Sequence, residues 1–186
     1  MEQARVKVLM VPMEEYATVS QDASLFEAVQ VLEQAQEKLD RMRYPYLHRA
    51  ILVFDQNKKI VGKISQLDIL RALEPQYERM GDQATLSRAG FSPQFLQSIM
   101  EQFSLLSDSL ENICRRAANR KVKSFMYAPG EGEYVEEDAT LTEAIHQLVM
   151  GHHQSLLVTR GEEIVGILRL TDVFKAVFQI MKTCAL

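Results

Sequence analysis

Apolar and polar positions follow the same order in two blocks of this chain. In each block a helix-spaced apolar pattern is followed by two short apolar runs, which polar turns separate, and then by a second helical pattern. Apolar residues three or four positions apart predict helices, and short β-branched runs between turns predict strands. The short segments of the two blocks are 50–54 and 155–158, 60–64 and 164–168, and 67–73 and 171–177. Each block is therefore predicted to hold a helix, two strands and a helix.

The start of the first helix carries the same capping signal in both blocks. Ser24 precedes Glu27 by three positions, and Thr140 precedes Glu143 in the same way. A hydroxyl followed three residues later by a carboxylate is a capping box, in which each side chain satisfies a backbone N–H group of the other residue. The pattern predicts helices that begin directly after Ser24 and Thr140.

The two blocks are copies of one unit. The matched segments are 6–10 with 122–126 and 19–28 with 135–144, at a shift of 116 positions, and 60–62 with 164–166, at a shift of 104. The difference between 116 and 104 makes the first copy about twelve residues longer, and we expect the extra length in a longer helix or its following loop, around 33–48. So small a unit cannot cover both faces of its sheet, so the copies should pack together and share a core.

Composition narrows the classes of partner. The chain has 186 residues, is 47% hydrophobic and carries a net charge of −4, with a pI near 5.6. Such a chain can bury a core, but it offers no chain-wide positive field for nucleic acid or an anionic membrane surface. No apolar stretch approaches the roughly 20 residues of a membrane-spanning helix, and the acidic start does not resemble a secretory signal. We expect a cytoplasmic protein whose two cysteines are reduced thiols.

Residues 62–68, GKISQLD, place a hydroxyl and a carboxylate three residues apart where the second strand meets a helix. Ser65 and Asp68 fit a capping box, yet a hydroxyl and a carboxylate at the start of a helix can also hold a ligand through hydrogen bonds. The second copy reads GILRLTD, with Arg169 in place of the serine and Asp172 retained. Arginine has no acceptor and cannot cap a helix N-terminus, so reciprocal capping does not explain Asp172. The repeat therefore favours a ligand role for Asp68, whereas Asp172 either holds a ligand or is an acid in the first helical turn that the helix dipole stabilises.

The repeated motifs resemble those of the CBS domain, the family named for cystathionine beta-synthase. The shared elements are the opening V-K-x-[LF]-M, the D-A-[ST]-L-x-E-A helix start, the aliphatic strand and the I-V-G-x-[IL]-x-x-x-D step from strand to helix, each present twice. The resemblance implies an α/β (α+β) fold of two β-α-β-β-α units packed as a pseudo-two-fold pair, commonly a homodimer. It also implies a free-standing regulatory module that binds an adenosine-containing ligand between the copies and acts on a partner enzyme or transporter, without catalysis.

The resemblance further implies the ligand contacts. These are Ala50, Ser65, Asp68, Ser155, Arg169 and Asp172. In the family pattern the Ser65 position touches phosphate, the Asp68 position holds the ribose and the Ala50 position lies against the base. Arg169 departs from the pattern: it either binds a phosphate chain, which favours ATP or ADP over AMP, or pairs with Asp172 or another acid and closes the second cleft. S-adenosylmethionine is a further candidate ligand.

The order of the motifs predicts four segments. These are a first CBS domain at 1–74, a helical linker at 75–121, a second CBS domain at 122–182 and a tail at 183–186. In the linker, Ser92-Pro93 marks a helix start, and apolar residues from Phe95 to Ala117 recur three or four positions apart. This spacing predicts one helix of about seven turns, unless residues 107–109 break it. The helix either packs on the chain's own sheets or serves dimerisation or partner docking.

Other chemistry has little support in the sequence. His146, His152 and His153 cluster, but adjacent helical positions point apart and no carboxylate or cysteine completes a metal site, so we interpret them as polar loop histidines. No nucleophile with a base and no phosphate-cradling glycine loop is visible, so we do not expect an enzyme. Two functions remain: a regulatory module that senses an adenine nucleotide, and a dimerisation scaffold that has lost its ligand.

Overall fold

The computed structural model describes residues 4–80 and 91–184. Its α-helices are α1 (Val6–Leu9), α2 (Leu25–Glu37), α3 (Gln66–Ala72), α4 (Pro93–Gln102), α5 (Leu110–Ala117), α6 (Leu141–Gly151) and α7 (Leu170–Cys184). Its strands are β1 (Val11–Pro12), β2 (Thr18–Ser20), β3 (Ala50–Phe54), β4 (Ile60–Ser65), β5 (Tyr134–Glu136), β6 (Ser155–Arg160) and β7 (Glu163–Arg169). Short 3-10 segments cover Met13–Glu15, Pro75–Met80, Val122–Ser124 and Glu131–Glu133. Parts of the predicted linker (81–90) and tail (185–186) lie outside the described residues.

The two copies fold into equivalent sheets. In the first copy β2 runs parallel to β3, and β3 runs antiparallel to β4. In the second copy β5, β6 and β7 repeat these directions, and β1 adds a fourth strand beside β7. The helices α2 and α6 begin at closed capping boxes, Ser24 with Glu27 and Thr140 with Glu143. The predicted α/β fold of two β-α-β-β-α units is thus confirmed.

Each opening segment packs on the other copy. The N–H group of Val6 donates to the carbonyl of Ala139 at 3.0 Å, which places the start of the chain on the second copy. In the reverse direction the N–H group of Val122 donates to the carbonyl of Ala23 at 2.9 Å. Val6 and Val122 are fully buried, each in the core of the other copy. The copies are therefore interlocked by a reciprocal exchange, whereas the sequence repeat had placed each segment with the copy that follows it.

The exchange explains the glycine of the repeated I-V-G motif. A Cβ atom at Gly166 in β7 would lie 2.6 Å from the carbonyl oxygen of Val11, and one at Gly62 in β4 would lie 3.0 Å from that of Tyr127. A distance of 2.6 Å is shorter than real Cβ atoms tolerate. These glycines therefore leave room for the crossing backbone of the exchanged segments, and neither one has a positive φ angle.

A cluster of buried residues joins the two sheets. Its members are Val11, Tyr16, Tyr44, Leu52, Leu157 and Ile167. Leu52 on β3 and Leu157 on β6 occupy equivalent positions of the two copies, since β2 pairs with the first and β5 with the second in the same register. Both copies contribute to this core, as the small size of each unit predicts.

The linker between the copies holds two helices, which agrees with the break at residues 107–109 that the sequence allowed and not with one continuous helix. The helix α4 ends at Gln102, and α5 begins at Leu110 after the cap residue Ser109. Between them Ser104 and Leu106 adopt left-handed backbone conformations, with φ of 49° and 53°, which a continuous helix does not allow. No residue of α4 is buried, whereas α5 buries Ile113 and Ala117. No helix in the described part of the chain is long and apolar enough to span a bilayer.

We predict that Gly166→Ala lowers the free energy of unfolding by roughly 1–3 kcal/mol, the usual range when a packed interior must accept extra atoms. The added methyl group would push β7 away from Val11 and loosen the exchanged segment. Urea unfolding followed by circular dichroism measures the change. Gly130→Ala is the matched control, because a Cβ atom there meets nothing within 4 Å. Equal stability of the two variants would contradict the crossing geometry.

Candidate functional site

A cavity of about 400 Å³ opens between the two copies. Five of the six predicted ligand contacts line it: Ala50, Ser65, Asp68, Ser155 and Arg169. Strand pairing places Ala50 opposite Ser65 in one sheet and Ser155 opposite Arg169 in the other, and both pairs line the same cavity. The sixth, Asp172, instead lines a separate cavity of about 310 Å³. The two aspartates of the repeat therefore occupy different surroundings.

Asp68 closes the capping box of α3 and keeps acceptor capacity. The hydroxyl oxygen of Ser65 accepts from the N–H of Asp68 at 3.2 Å. In return, Oδ2 of Asp68 accepts from the N–H of Ser65 at 2.8 Å and from its hydroxyl at 2.6 Å. The other oxygen, Oδ1, has only a long contact of 3.4 Å with Nη1 of Arg71. Capping thus occupies one carboxylate oxygen and leaves acceptor capacity on the second.

Asp172 has both of its carboxylate oxygens occupied. Nε of Arg169 donates to Oδ2 at 2.5 Å, and Nη2 donates to Oδ1 at 2.7 Å, which forms a bidentate pair. The remaining terminal nitrogen, Nη1, lies 3.1 Å from the carbonyl oxygen of Tyr46 and 3.1 Å from Nδ1 of His48. Every nitrogen of the Arg169 guanidinium therefore has a partner, and the residue is only 5% exposed.

Aromatic side chains of the first copy surround this ion pair. The ring of His48 meets the ring of Tyr16 edge to face, with centroids 4.6 Å apart, and Tyr44 lies 5.3 Å below the Arg169 guanidinium carbon. Burial, with a further contribution from Arg169, lowers the pKa of His48 to about 4. His48 is therefore neutral near pH 7, and since arginine can only donate, Nδ1 of His48 is the acceptor. Burial likewise raises the pKa of Tyr16.

The cavity contains a second buried ion pair, between Lys63 and Glu133. Burial alone would raise the pKa of Glu133, but hydrogen bonds from Lys63 and Tyr127 outweigh it and hold that pKa below its usual value. The same carboxylate raises the pKa of Tyr127 to about 12. Lys63 is thus ion-paired with Glu133, and Arg169 is ion-paired with Asp172. Of the three lysine and arginine side chains lining the cavity, only Arg49 has no hydrogen bond or ion pair of its guanidinium among the described residues.

Two of the clustered histidines also line the cavity, which the sequence interpretation missed. His152 and His153 follow α6 and face this space, whereas His146 lies within α6. The strand register supplies the signal that was overlooked: Ala50 aligns with Ser155, so His153 is the counterpart of His48, two residues earlier in each copy. Within the described residues, no group of three or more His, Cys, Asp or Glu side chains is arranged to hold a metal ion.

Comparison with solved structures gives the same architecture. A CBS domain-containing protein of unknown function from Bacillus anthracis is 20% identical, with a TM-score of 0.61, covering 95% of this chain and 94% of that one. The CBS-pair protein CBSX2 from Arabidopsis thaliana is 18% identical, with a TM-score of 0.59 and coverage of 97% and 98%. A structure of CBSX2 in complex with AMP is 19% identical, with a TM-score of 0.57 and coverage of 95% and 97%. At such identities the likeness concerns the fold alone.

The family follows from the sequence match. No protein with a curated functional assignment matches the chain at a significant level. The family model described as "CBS domain" matches two regions, residues 7–75 and 131–179, which together make up more than half of the chain. These regions coincide with the two interlocked β-α-β-β-α units and with the motifs repeated in them. This chain therefore belongs to the CBS domain family, and it carries the domain as a tandem pair.

Proposed function

We propose that this CBS pair is a non-catalytic regulatory module that binds an adenine nucleotide, AMP, ADP or ATP, in the cavity between its two copies. The observation that carries the proposal is Oδ1 of Asp68, which lies outside the capping bonds and has one long contact of 3.4 Å with Arg71, beside a cavity to which both copies contribute. The solved complex of CBSX2 with AMP, a structure of the same fold, supports the choice of ligand class. S-adenosylmethionine is the adenosyl compound to test beside the nucleotides.

The cavity suits the three parts of such a ligand. Its volume of about 400 Å³ falls in the range of roughly 300–1,000 Å³ that is usual for small-molecule sites. The small side chains of Ala50 and Ser155, at the starts of two strands, leave space for the flat base. Oδ1 of Asp68 accepts from the ribose hydroxyls, and the hydroxyl of Ser65 donates to a phosphate oxygen once it turns from the carboxylate. No cofactor or metal is needed for this binding.

We propose Arg49 as the phosphate contact, in place of Arg169, which the sequence had suggested. Four of the five N–H groups of the Arg169 guanidinium are bonded within the protein and the residue is nearly buried, so at most one N–H group of Nη2 is left for a ligand. Arg49 precedes Ala50, and its carbonyl accepts from the N–H of Gln66, the first residue of α3, at 3.0 Å. This bond holds the Arg49 backbone beside Ser65. A guanidinium there can form paired hydrogen bonds with a phosphate group.

Regulation follows from a ligand that contacts both copies. A nucleotide bound between them favours the relative orientation in which both sets of contacts are made, and a partner that distinguishes orientations is regulated by it. The helix α4, with no buried residue, offers a surface for a partner enzyme or transporter.

The proposed module has four segments. These are the first CBS domain at 1–74, the helical linker at 75–121, the second CBS domain at 122–182 and a tail at 183–186. Exposed free thiols at Cys114 and Cys184 fit the reducing cytoplasm, where we place the protein.

The assembly that fits the surface is a homodimer. The helices α3 and α7 are equivalent in the two copies, and both expose large apolar side chains at matched positions, with Leu70 60% and Phe174 63% exposed. Leu67, Phe178 and Met181 extend this face. Large exposed apolar faces on a folded protein commonly mark association surfaces. A second copy would cover both helices at once through a two-fold interface.

A ligand-free dimerisation scaffold is the competing function. The capping box of Ser65 and Asp68 is complete without any ligand, and this observation favours the scaffold. The two functions differ in one measurable respect. A sensor binds an adenine nucleotide with an affinity that depends on the cavity, whereas a scaffold does not bind one.

We predict that Asp68→Asn weakens nucleotide binding by about tenfold or more, the usual loss when a charged hydrogen-bond acceptor is removed. For the unaltered protein, a nucleotide at 100 times its Kd adds about 2.7 kcal/mol of stability, or roughly 5–10 °C. Thermal shift and titration calorimetry with AMP, ADP, ATP and S-adenosylmethionine measure both effects. Glu27→Gln is the matched control, because Glu27 closes the same capping box on α2, away from the cavity. The absence of any shift with all four compounds would favour the scaffold.

We predict that Arg49→Gln weakens AMP binding severalfold but leaves adenosine binding unchanged, because only the phosphate group contacts the guanidinium. Calorimetry with the two ligands separates the contributions. Arg41→Gln removes an exposed arginine of the same copy that does not line the cavity, and it should change neither affinity. An equal loss for AMP and adenosine would show that Arg49 acts on the shape of the site and not on phosphate.

We predict that the double variant Leu70→Glu with Phe174→Glu is monomeric, because it places charges on both apolar helices of the interface. Sedimentation equilibrium gives the mass in solution. Met42→Glu is the control, since this side chain is 92% exposed but lies in the connection before β3. An unaltered chain that sediments as a monomer, or a double variant that remains dimeric, would refute this interface.

A further inference from the structure

The two copies differ most in the connection between their first helix and the following strand. In the second copy this connection is residues 152–154, three residues, whereas in the first copy it is residues 38–49, twelve residues. We call residues 38–49 the cleft insert. The structure therefore places most of the extra length of the first copy in a loop. This loop folds inward, since Tyr44 is 8% and His48 is 1% exposed.

We propose that the cleft insert permanently occupies the second nucleotide cleft, so that each chain binds one nucleotide and not two. The inference rests on the proposed function of the open cavity, and it adds the number and the place of the bound ligands. A pseudo-two-fold pair has two equivalent clefts, one beside Ser65 and Asp68 and one beside their counterparts Arg169 and Asp172. The first of them opens as the cavity of about 400 Å³ described above, whereas Arg43 and Tyr44 of the cleft insert line the smaller cavity of about 310 Å³ beside Asp172.

The insert is bonded to the residues that would hold a second nucleotide. The carbonyl of Tyr46 and Nδ1 of His48 both accept from Nη1 of Arg169, each at 3.1 Å. The ring of Tyr44 lies against the same guanidinium. Arg169 in turn holds both oxygens of Asp172. The carboxylate that would accept two ribose hydrogen bonds therefore has no free oxygen.

The insert is also fixed at its two sides. Nε2 of Gln36, near the end of α2, donates to the carbonyl of His48 at 2.6 Å. At the other side the hydroxyl of Tyr44 donates to Oε2 of Glu15 at 2.8 Å, and Nη1 of Arg43 donates to both oxygens of Glu15 at 2.7 and 2.9 Å. These bonds connect the insert to the helix before it and to the 3-10 segment before β2. The cleft insert is therefore held in place by hydrogen bonds and ion pairs at both of its sides.

Equivalent positions around the two clefts show why one is open and the other filled. The shift of 104 positions pairs Ser65 with Arg169, and the shift of 116 positions pairs Tyr16 with Gly132. A short hydroxyl in the first copy thus corresponds to a guanidinium in the second, and the aromatic ring of Tyr16 corresponds to a glycine. Tyr16 and Arg169 contact His48 of the cleft insert and also line the open cavity, so they lie between the two clefts. In the open cleft a Cβ atom at Gly132 would be 3.9 Å from the ring of His153.

Isothermal titration calorimetry of the unaltered full chain with AMP tests the inference directly. We expect a stoichiometry of one AMP per chain. A stoichiometry of two would overturn the self-occupied cleft while the proposed function stands. A stoichiometry of zero with every adenosyl ligand would overturn the proposed function itself. The two failures are thus distinguished by one number.

Two matched variants locate the single site. Asp68→Asn should weaken AMP binding at least tenfold, whereas Asp172→Asn should leave one AMP per chain with an affinity within twofold of the unaltered protein. Binding that is lost in Asp172→Asn and kept in Asp68→Asn would place the ligand in the cleft that we consider filled. Tyr44→Phe removes the hydroxyl bond to Glu15 with little change in shape. It should likewise leave one site, so it replaces Asp172→Asn if that variant does not fold; a loss of AMP binding in Tyr44→Phe would overturn the assignment.

Discussion

The reciprocal exchange of the two opening segments is the contact on which the rest of this structure depends. Val6 and Val122 are each buried in the core of the other copy, and the backbone that follows each of them crosses a strand so closely that only glycine fits below it. Neither copy completes its own core without the segment that belongs, in sequence order, to the other. The cavity exists because this interlock holds the starts of β3 and β6 side by side.

A pseudo-two-fold frame does not make its two clefts alike. The backbone repeats its pairings almost residue for residue, but the side chains at the clefts differ in size and charge. Arg169 replaces a serine, Tyr16 stands where the second copy has glycine, and a twelve-residue connection replaces one of three. Each difference adds volume or hydrogen-bonding groups to the same cleft. One duplicated unit has thus produced two clefts with different linings within a single chain.

The capping box and the ligand site were alternatives in the sequence, and the geometry makes them compatible. A carboxylate has two oxygens, and in Asp68 the capping bonds use Oδ2 while Oδ1 has one long contact. Asp172 has the same position in its copy, but its two oxygens are bonded to one guanidinium. The difference between the two aspartates comes from the residue three positions earlier. Ser65 bonds to one oxygen of Asp68, whereas Arg169 bonds to both oxygens of Asp172.

The sequence by itself determined the duplicated unit, its strands and helices, and the capping boxes, because these depend on periodicity and on residues within one helical turn. Its resemblance to the CBS family also named Ala50, Ser65, Asp68, Ser155 and Arg169 as ligand contacts, and strand register accounts for two neighbouring pairs among them, Ala50 with Ser65 and Ser155 with Arg169. Only the tertiary structure decided that the opening segments change places, that the linker breaks at left-handed residues, and that His48 and Tyr44 enter a cleft beside Arg169. The exchange and the position of the cleft insert depend on contacts between residues far apart in the chain, such as Val6 with Ala139 and His48 with Arg169. Local sequence patterns cannot predict such contacts, because these contacts form only when the two copies pack together.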